Sequence, residues 1–223
     1  MIPLRDSTRS ASFPIVTVVL IALNFFVFVS QLSLGPDEVE RMFETWGLVP
    51  LDFKSGQIGA ASYLPFISYM FLHGGWMHLL GNMWSLWLFG DNLEDRMGKW
   101  RFFFFYIICG IIAALVHCAV FSDSYIPVIG ASGAVAGIMG AYFCMFKKAR
   151  IFTYIPPLFF FNLPAWIFLG FWILSQVWGG TFAVFGYKNY SNVAFWAHIG
   201  GFAAGMILYR VFIKSNKEEF FDS

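Results

Sequence analysis

Six apolar runs divide the chain: Phe13–Leu34, Trp76–Gly90, Trp100–Phe121, Ala131–Phe146, Phe159–Phe185 and Val193–Ile213. Polar or charged segments separate them, the pattern of a chain that crosses the roughly 30 Å hydrocarbon layer repeatedly as helices. The expected architecture is an all-α membrane protein of six transmembrane helices. One domain over 13–213 stands between polar tails at 1–12 and 214–223. The first run is too long for the core of a signal peptide and no small-x-small cleavage site follows it, so it is read as retained. The connection from Gly35 to Gly75 is long, and its stretches Val39–Leu48 and Ala61–Leu72 are amphipathic without being span length. Such segments are expected to lie partly in the membrane interface. Asp91–Lys99 reads as a tight charged turn, Lys147–Pro157 as a basic connection and Gly186–Asn192 as a short polar turn. Pro164 falls near the start of the fifth run, where proline is tolerated.

The fourth run is the exception in length. Its 16 residues from Ala131 to Phe146 reach about 24 Å as a helix at roughly 1.5 Å per residue. With its floor at the charged Lys147-Lys148-Ala149-Arg150, its top, and Ser132 with it, falls below the opposite membrane surface. Irregular backbone at that depth is tolerated only inside protein or along a water-filled cavity. The loop into this helix contains Gly130-Ala131-Ser132-Gly133, and Ala134-Val135-Ala136-Gly137-Ile138-Met139-Gly140 follows. One hydroxyl therefore heads a helix of mostly small side chains and faces buried water.

Composition agrees with the pattern. The 223 residues are 59% hydrophobic and 12% charged, half the charged share of a soluble domain, which is about 25%. The net charge of +1 gives no reason to expect nucleic-acid binding. Cys109, Cys118 and Cys144 lie within spans, without CxxC spacing or neighbouring ligands, and read as core residues rather than disulfides or a metal site. Lysine and arginine set the orientation. With the N-terminus inside, Arg5, Arg9, Arg96, Lys99, Arg101, Lys147, Lys148, Arg150, Arg210, Lys214 and Lys217 are cytoplasmic, against Arg41, Lys54 and Lys188 outside. Both termini are expected in the cytoplasm.

This orientation aligns the polar groups. The second, fourth and sixth spans all run inward, and each carries polar side chains near its outer end: His78 and Asn82, Ser132, and His198. His78 and Asn82 are four apart and share a helix face. His198, Gly201 and Gly205 share a face of the sixth span, and Ser132, Ala136 and Gly140 share one of the fourth, with Gly133 and Gly137 beside it. Small-residue faces let membrane helices approach closely, so the contact face is the one bearing serine and histidine. Ser132 can then act as nucleophile with His198 as base. Asn82, His78 and the Ser132 backbone N–H are donors for a developing oxyanion. No carboxylate is placed to orient His198, so the reading is a dyad. His73 and Glu94 are read as ordering the long loop, and Asn24, Asn162 and Gln176 as structural.

These residues resemble the rhomboid family of intramembrane serine proteases. The matching pieces are His78-x-x-x-Asn82, Gly130-x-Ser132-Gly133 and Ala197-His198-x-x-Gly201-x-x-x-Gly205, in family order. Tyr69–Trp76 and Gly90–Gly98 flank the first of them and are similar to rhomboid sequence too. The resemblance implies the six-helix rhomboid fold and cleavage of other proteins' transmembrane segments near their outer ends, with the bilayer as the medium and no cofactor or metal. It implies Ser132 and His198 as catalytic, and Asn82 with His78 as oxyanion donors; His73, Gly130, Gly133, Gly201 and Gly205 support them. Two positions depart from the family pattern. Tyr63-Leu64-Pro65-Phe66 stands where many relatives carry a Trp-Arg pair. Ala136 stands where some place a tyrosine that stacks on the histidine, which leaves open how His198 is held. A rhomboid-like pseudoprotease that binds clients and a small transporter are the alternatives. The short tails suit a bacterial inner membrane. Substrates and oligomeric state are not legible in the sequence.

Overall fold

The computed structural model describes residues 1–8, 10–55, 63–185 and 193–214. The turn expected at 186–192 and the tail beyond Lys214 lie outside the described residues, as do Arg9, Lys188 and Lys217. A short strand β1 (Ile2–Asp6) precedes α1 (Ile15–Leu32). The long connection folds as α2 (Pro36–Trp46), α3 (Pro50–Ser55), α4 (Pro65–Ser68) and a 3-10 turn (Tyr69–Phe71). Then follow α5 (Trp76–Met97), α6 (Lys99–Val120), α7 (Ser132–Met145), strands β2 (Arg150–Ile155) and β3 (Phe159–Pro164), α8 (Ala165–Val184) and α9 (Phe195–Phe212). Four of these helices, α1, α6, α8 and α9, are long and apolar enough to cross a membrane. The chain is an integral, multi-pass membrane protein. Phe26, Phe171, Trp178, Ile207 and Val211 stand exposed on the outer faces of α1, α8 and α9, an apolar surface that a soluble protein would have to cover.

The short helix α7 is the axis of the bundle. Every residue from Gly133 to Tyr142 is buried, and α5, α6, α8 and α9 all pack against it. Close approach to α9 depends on missing side chains. A Cβ at Gly201 would collide with the Gly133 carbonyl, one at Gly205 with the Gly137 carbonyl, and one at Gly140 with the Phe202 carbonyl. The two backbones therefore touch over about two turns of α7. On the other side, a Cβ at Gly133 would lie 2.7 Å from Ala113 of α6.

Two expectations need correcting. The fold is not purely helical: β1, β2 and β3 form an antiparallel sheet, with Ile2 opposite Tyr154 and Arg150 opposite Pro164. The fifth apolar run thus splits, its first six residues forming β3 and its helix starting at Ala165. Aromatic and β-branched side chains suit a pleated surface, and Phe159-Phe160-Phe161 facing Thr153-Tyr154-Ile155 is such a run. Nor is Asp91–Lys99 a turn. Helix α5 runs on to Met97, and Gly98 alone (φ +80°) makes the reversal into α6.

The charges expected at that turn are instead consumed inside the bundle. The Glu94 carboxylate accepts hydrogen bonds from the Val16 and Thr17 backbone N–H groups (2.9 and 2.8 Å) and the Thr17 hydroxyl (2.9 Å). Those are donors of the first turn of α1, which have no partner within their own helix. Glu94 therefore caps α1 rather than ordering the long loop. Asp95 accepts from Ser12, and Asp6 accepts from Tyr142 and Asn92. Lys214 donates its backbone N–H to the Arg96 carbonyl. The N-terminal strand, the α5–α6 junction, the sheet and the end of α9 consequently gather at one end of the bundle. At the opposite end, Leu48 and Val128 exchange backbone hydrogen bonds and Lys54 pairs with Asp123 at 2.6 Å. These contacts tie the long connection to the loop before α7.

Candidate active site

The loop into α7 sets the site. Gly130 has φ +118°, a conformation closed to ordinary side chains, and its N–H donates to the Tyr69 carbonyl at 2.8 Å. A second constraint acts there. A Cβ on Gly130 would lie 2.6 Å from both Cε1 and Nε2 of His78 and 3.6 Å from the Asn82 amide nitrogen. Both side chains of α5 therefore point at the backbone two residues before Ser132. Ser132 is the first residue of α7 and half-buried, and its N–H belongs to the unpartnered first turn.

The α5 pair is held from behind. The Asn82 amide donates to His73 Nε2 at 3.1 Å, and His73 meets His78 edge-on at 5.0 Å between ring centroids. Gln31 of α1 fixes the His73 peptide from both sides, accepting its N–H at 3.1 Å and donating to its carbonyl at 2.9 Å. His73 thus joins the cluster as the neighbour of Asn82.

His198 approaches from the first turn of α9. The Gly133 Cβ position is 3.8 Å from Ala197 Cβ, and the Gly133 carbonyl abuts Gly201. The residues that flank Ser132 and His198 in sequence are therefore in contact, and His78 and His117 lie within electrostatic reach of the His198 ring. Among the described residues no hydrogen bond joins Ser132 to His198. The partner of His198 is Gln176 of α8, whose Oε1 lies 2.8 Å from Nδ1, and the indole of Trp172 packs against the same ring at 5.8 Å between centroids.

Sequence reasoning assigned Gln176 a structural role and passed over His117, a buried residue of α6 against Phe121. Both had a signal, since a polar or ionisable group inside a span is a functional-site hypothesis by default. Ala136 is fully buried beside α9 with no ring to offer, and Trp172 supplies the aromatic contact instead. Cys109 and Cys118 are buried and all three cysteines are free. Among the described residues no group of three or more His, Cys, Asp or Glu side chains is placed to hold a metal ion.

The arrangement is a hydroxyl at a helix N-terminus, an imidazole on the adjoining helix and an amide with a second imidazole aimed at the preceding loop. It has the parts of an acyl-transfer site. A family model, the Rhomboid domain, matches residues 60–215. "Rhomboid protein 1, mitochondrial" of Saccharomyces cerevisiae is 27% identical over 183 residues, which is 80% of this chain and 48% of that protein. "RHOMBOID-like protein 5" of Arabidopsis thaliana is 43% identical over 75 residues, 34% of this chain and 24% of that one. "Putative rhomboid protease YdcA" of Bacillus subtilis is 40% identical over 79 residues, 35% of this chain and 39% of that one. The chain spans between about a quarter and a half of the length of these curated relatives.

Proposed function

The chain belongs to the rhomboid family, and on that premise we propose that it is an intramembrane serine endopeptidase working through a Ser132–His198 dyad. The observation that carries this reading is the glycine contact of α7 with α9, which abuts Gly133 on Gly201 beside a loop flanked by His78 and Asn82. Ser132 Oγ attacks the carbonyl carbon of the scissile peptide while His198 takes its proton. The oxyanion receives hydrogen bonds from Asn82, His78 and the Ser132 N–H. His198 then gives the proton to the departing amine, and water resolves the acyl-enzyme by the reverse sequence. No cofactor enters the scheme.

The substrates under this reading are transmembrane segments of other proteins, cut near their outer ends. Helices α1, α5, α6, α7, α8 and α9 are the six spans, with both termini in the cytoplasm. Support for that orientation comes from the sheet and the α5–α6 junction gathering at one end together with Arg5, Arg96, Lys99, Arg101 and Arg150. A client helix enters laterally between α8 and α5, or under the loop after α8, and unwinds near small residues. The relatives carry mitochondrial and plant names as well as a bacterial one, so the compartment is left as the membrane itself.

The test is labelling with a fluorophosphonate serine probe in detergent. Wild type is expected to label, and Ser132→Ala and His198→Ala are not, while Ser132→Ala keeps the fold because the side chain removed is small. Failure of well-folded wild type to label would sink the reading in favour of a client-binding protein without turnover.

A further inference from the structure

A histidine that serves as base for a serine needs the right tautomer, with one ring nitrogen bare toward the hydroxyl and the proton parked on the other. In this protein the second nitrogen faces an amide, and an amide can accept or donate depending on which end it presents. The surroundings of Gln176 decide. Its Nε2 donates to Ser175 Oγ at 2.9 Å and lies 3.4 Å from the Trp172 carbonyl oxygen. Ser175 Oγ in turn gives its own proton to that carbonyl at 2.6 Å, so it can only accept from Gln176. Turning the amide over would set Gln176 Oε1 against the Trp172 carbonyl, oxygen facing oxygen, and would ask the Ser175 hydroxyl for a proton already committed. The oxygen therefore faces His198 Nδ1 at 2.8 Å.

We infer that Gln176 is the positioning residue of the dyad: its carbonyl holds the proton on His198 Nδ1 and leaves Nε2 bare for the Ser132 hydroxyl. The inference rests on the proposed proteolytic reading of this site and adds the element that the dyad lacked. Among the described residues no carboxylate contacts His198, and α7 offers only Ala136 where a ring could have stacked. Both restraints come instead from one turn of α8. Trp172 packs tilted against the imidazole, 35° between ring planes, and Gln176, four residues on, grips its edge. A neutral acceptor suits this place, because an unpaired carboxylate sunk among apolar helices costs far more than an amide. When His198 takes the serine proton it becomes a cation, and the same Gln176 oxygen remains to receive its Nδ1–H.

The test has a structural arm and a kinetic arm. Full-length protein with 15N-labelled histidine, in lipid nanodiscs, distinguishes protonated from bare ring nitrogens, and the His198 signals are assigned by their loss in His198→Ala. Wild type is expected to carry the proton on Nδ1, and Gln176→Met, of similar length but without an acceptor, to lose that preference. An unchanged tautomer in Gln176→Met would overturn the inference, whether or not the protein cleaves anything. In turnover of a transmembrane reporter, Gln176→Met is expected to lower kcat about tenfold or more with KM within about twofold. Gln176→Glu, which keeps an acceptor oxygen at the same reach, is expected to recover part of that loss in kcat, at a cost in stability from the buried carboxylate. A side chain that merely packs would leave kcat of the Met variant at the wild-type level, and that result refutes the role. Absence of turnover in wild type would instead count against proteolysis alone, with the spectra still deciding the tautomer.

Discussion

Replacing Gly201 with alanine puts a methyl group into the backbone contact that joins α7 to α9. The new Cβ would overlap the Gly133 carbonyl oxygen and stand 3.0 Å from its carbon and 3.4 Å from Ala113 Cβ. Carbon–carbon contacts settle at about 3.5–4.0 Å, so α9 must retreat from α7 by about 1 Å. The atoms in the way are backbone, which cannot swing aside as a flexible side chain would. Overpacking of this kind costs about 1–3 kcal/mol. The functional effect is the larger one. Gly133 adjoins Ser132 and Gly201 lies one turn after His198, so the displacement falls directly between Ser132 and His198, the pair proposed to react. A misplacement of about 1 Å can cost about a hundredfold in rate. Gly170→Ala is the matched control, since a Cβ there meets nothing within 4 Å and the change is worth at most about 1 kcal/mol, in the stabilising direction. Thermal unfolding in detergent, and turnover of a reporter below the melting range of both variants, are the measurements. Gly201→Ala is expected to melt lower and to lose about two orders of magnitude in kcat. Equal turnover in the two alanine variants would refute the claim that glycine contact sets the Ser132–His198 separation.

Asn82→Ala is expected to lower kcat about 100- to 1000-fold with little change in KM, as for a contact made in the transition state; a pure KM effect would remove Asn82 from the oxyanion role. Glu94→Ala strands three donors of the first turn of α1 and is expected to cost about 3 kcal/mol or more in a denaturation series. Asp6 gives a pH signature. Burial raises its carboxyl above the ordinary 3.8, against hydrogen bonds from Tyr142 and Asn92 that lower it. A carboxyl raised by folding holds its proton longer in the native state, so its contribution is fully present below 3.8 and is lost as pH rises through the folded value. Wild type should therefore lose more stability than Asp6→Asn as pH rises from acid to neutral, and a steeper slope in the variant would refute the assignment.

The apolar helices α1, α6, α8 and α9 were legible because a bilayer demands long apolar stretches, and His78, Asn82, Ser132 and His198 drew notice because polar side chains stand out in apolar runs. Two kinds of information were not. Phe159–Pro164 is as hydrophobic as any span, and periodicity cannot tell a short apolar strand from a helix segment; only pairing with Arg150–Ile155 reveals β3. Counting Glu94 among charged turn residues assumed that charge seeks solvent, whereas its oxygens seek the free amides of α1. Gln176 stayed hidden for a related reason. It is one polar residue on an apolar helix, and its meaning depends on which way α8 faces α9, a fact of packing rather than of sequence.

The sheet has a consequence for biogenesis. Ile2–Asp6 leaves the ribosome well before its partner Arg150–Ile155, which emerges only after α1, α5, α6 and α7 have been synthesised. At about 5–20 residues per second strand β1 waits about 7–30 s without its partner strand. Closing β1 onto β2 is thus a late event, possible only once the bundle has brought the two ends together. Until then the strand is an unpaired edge.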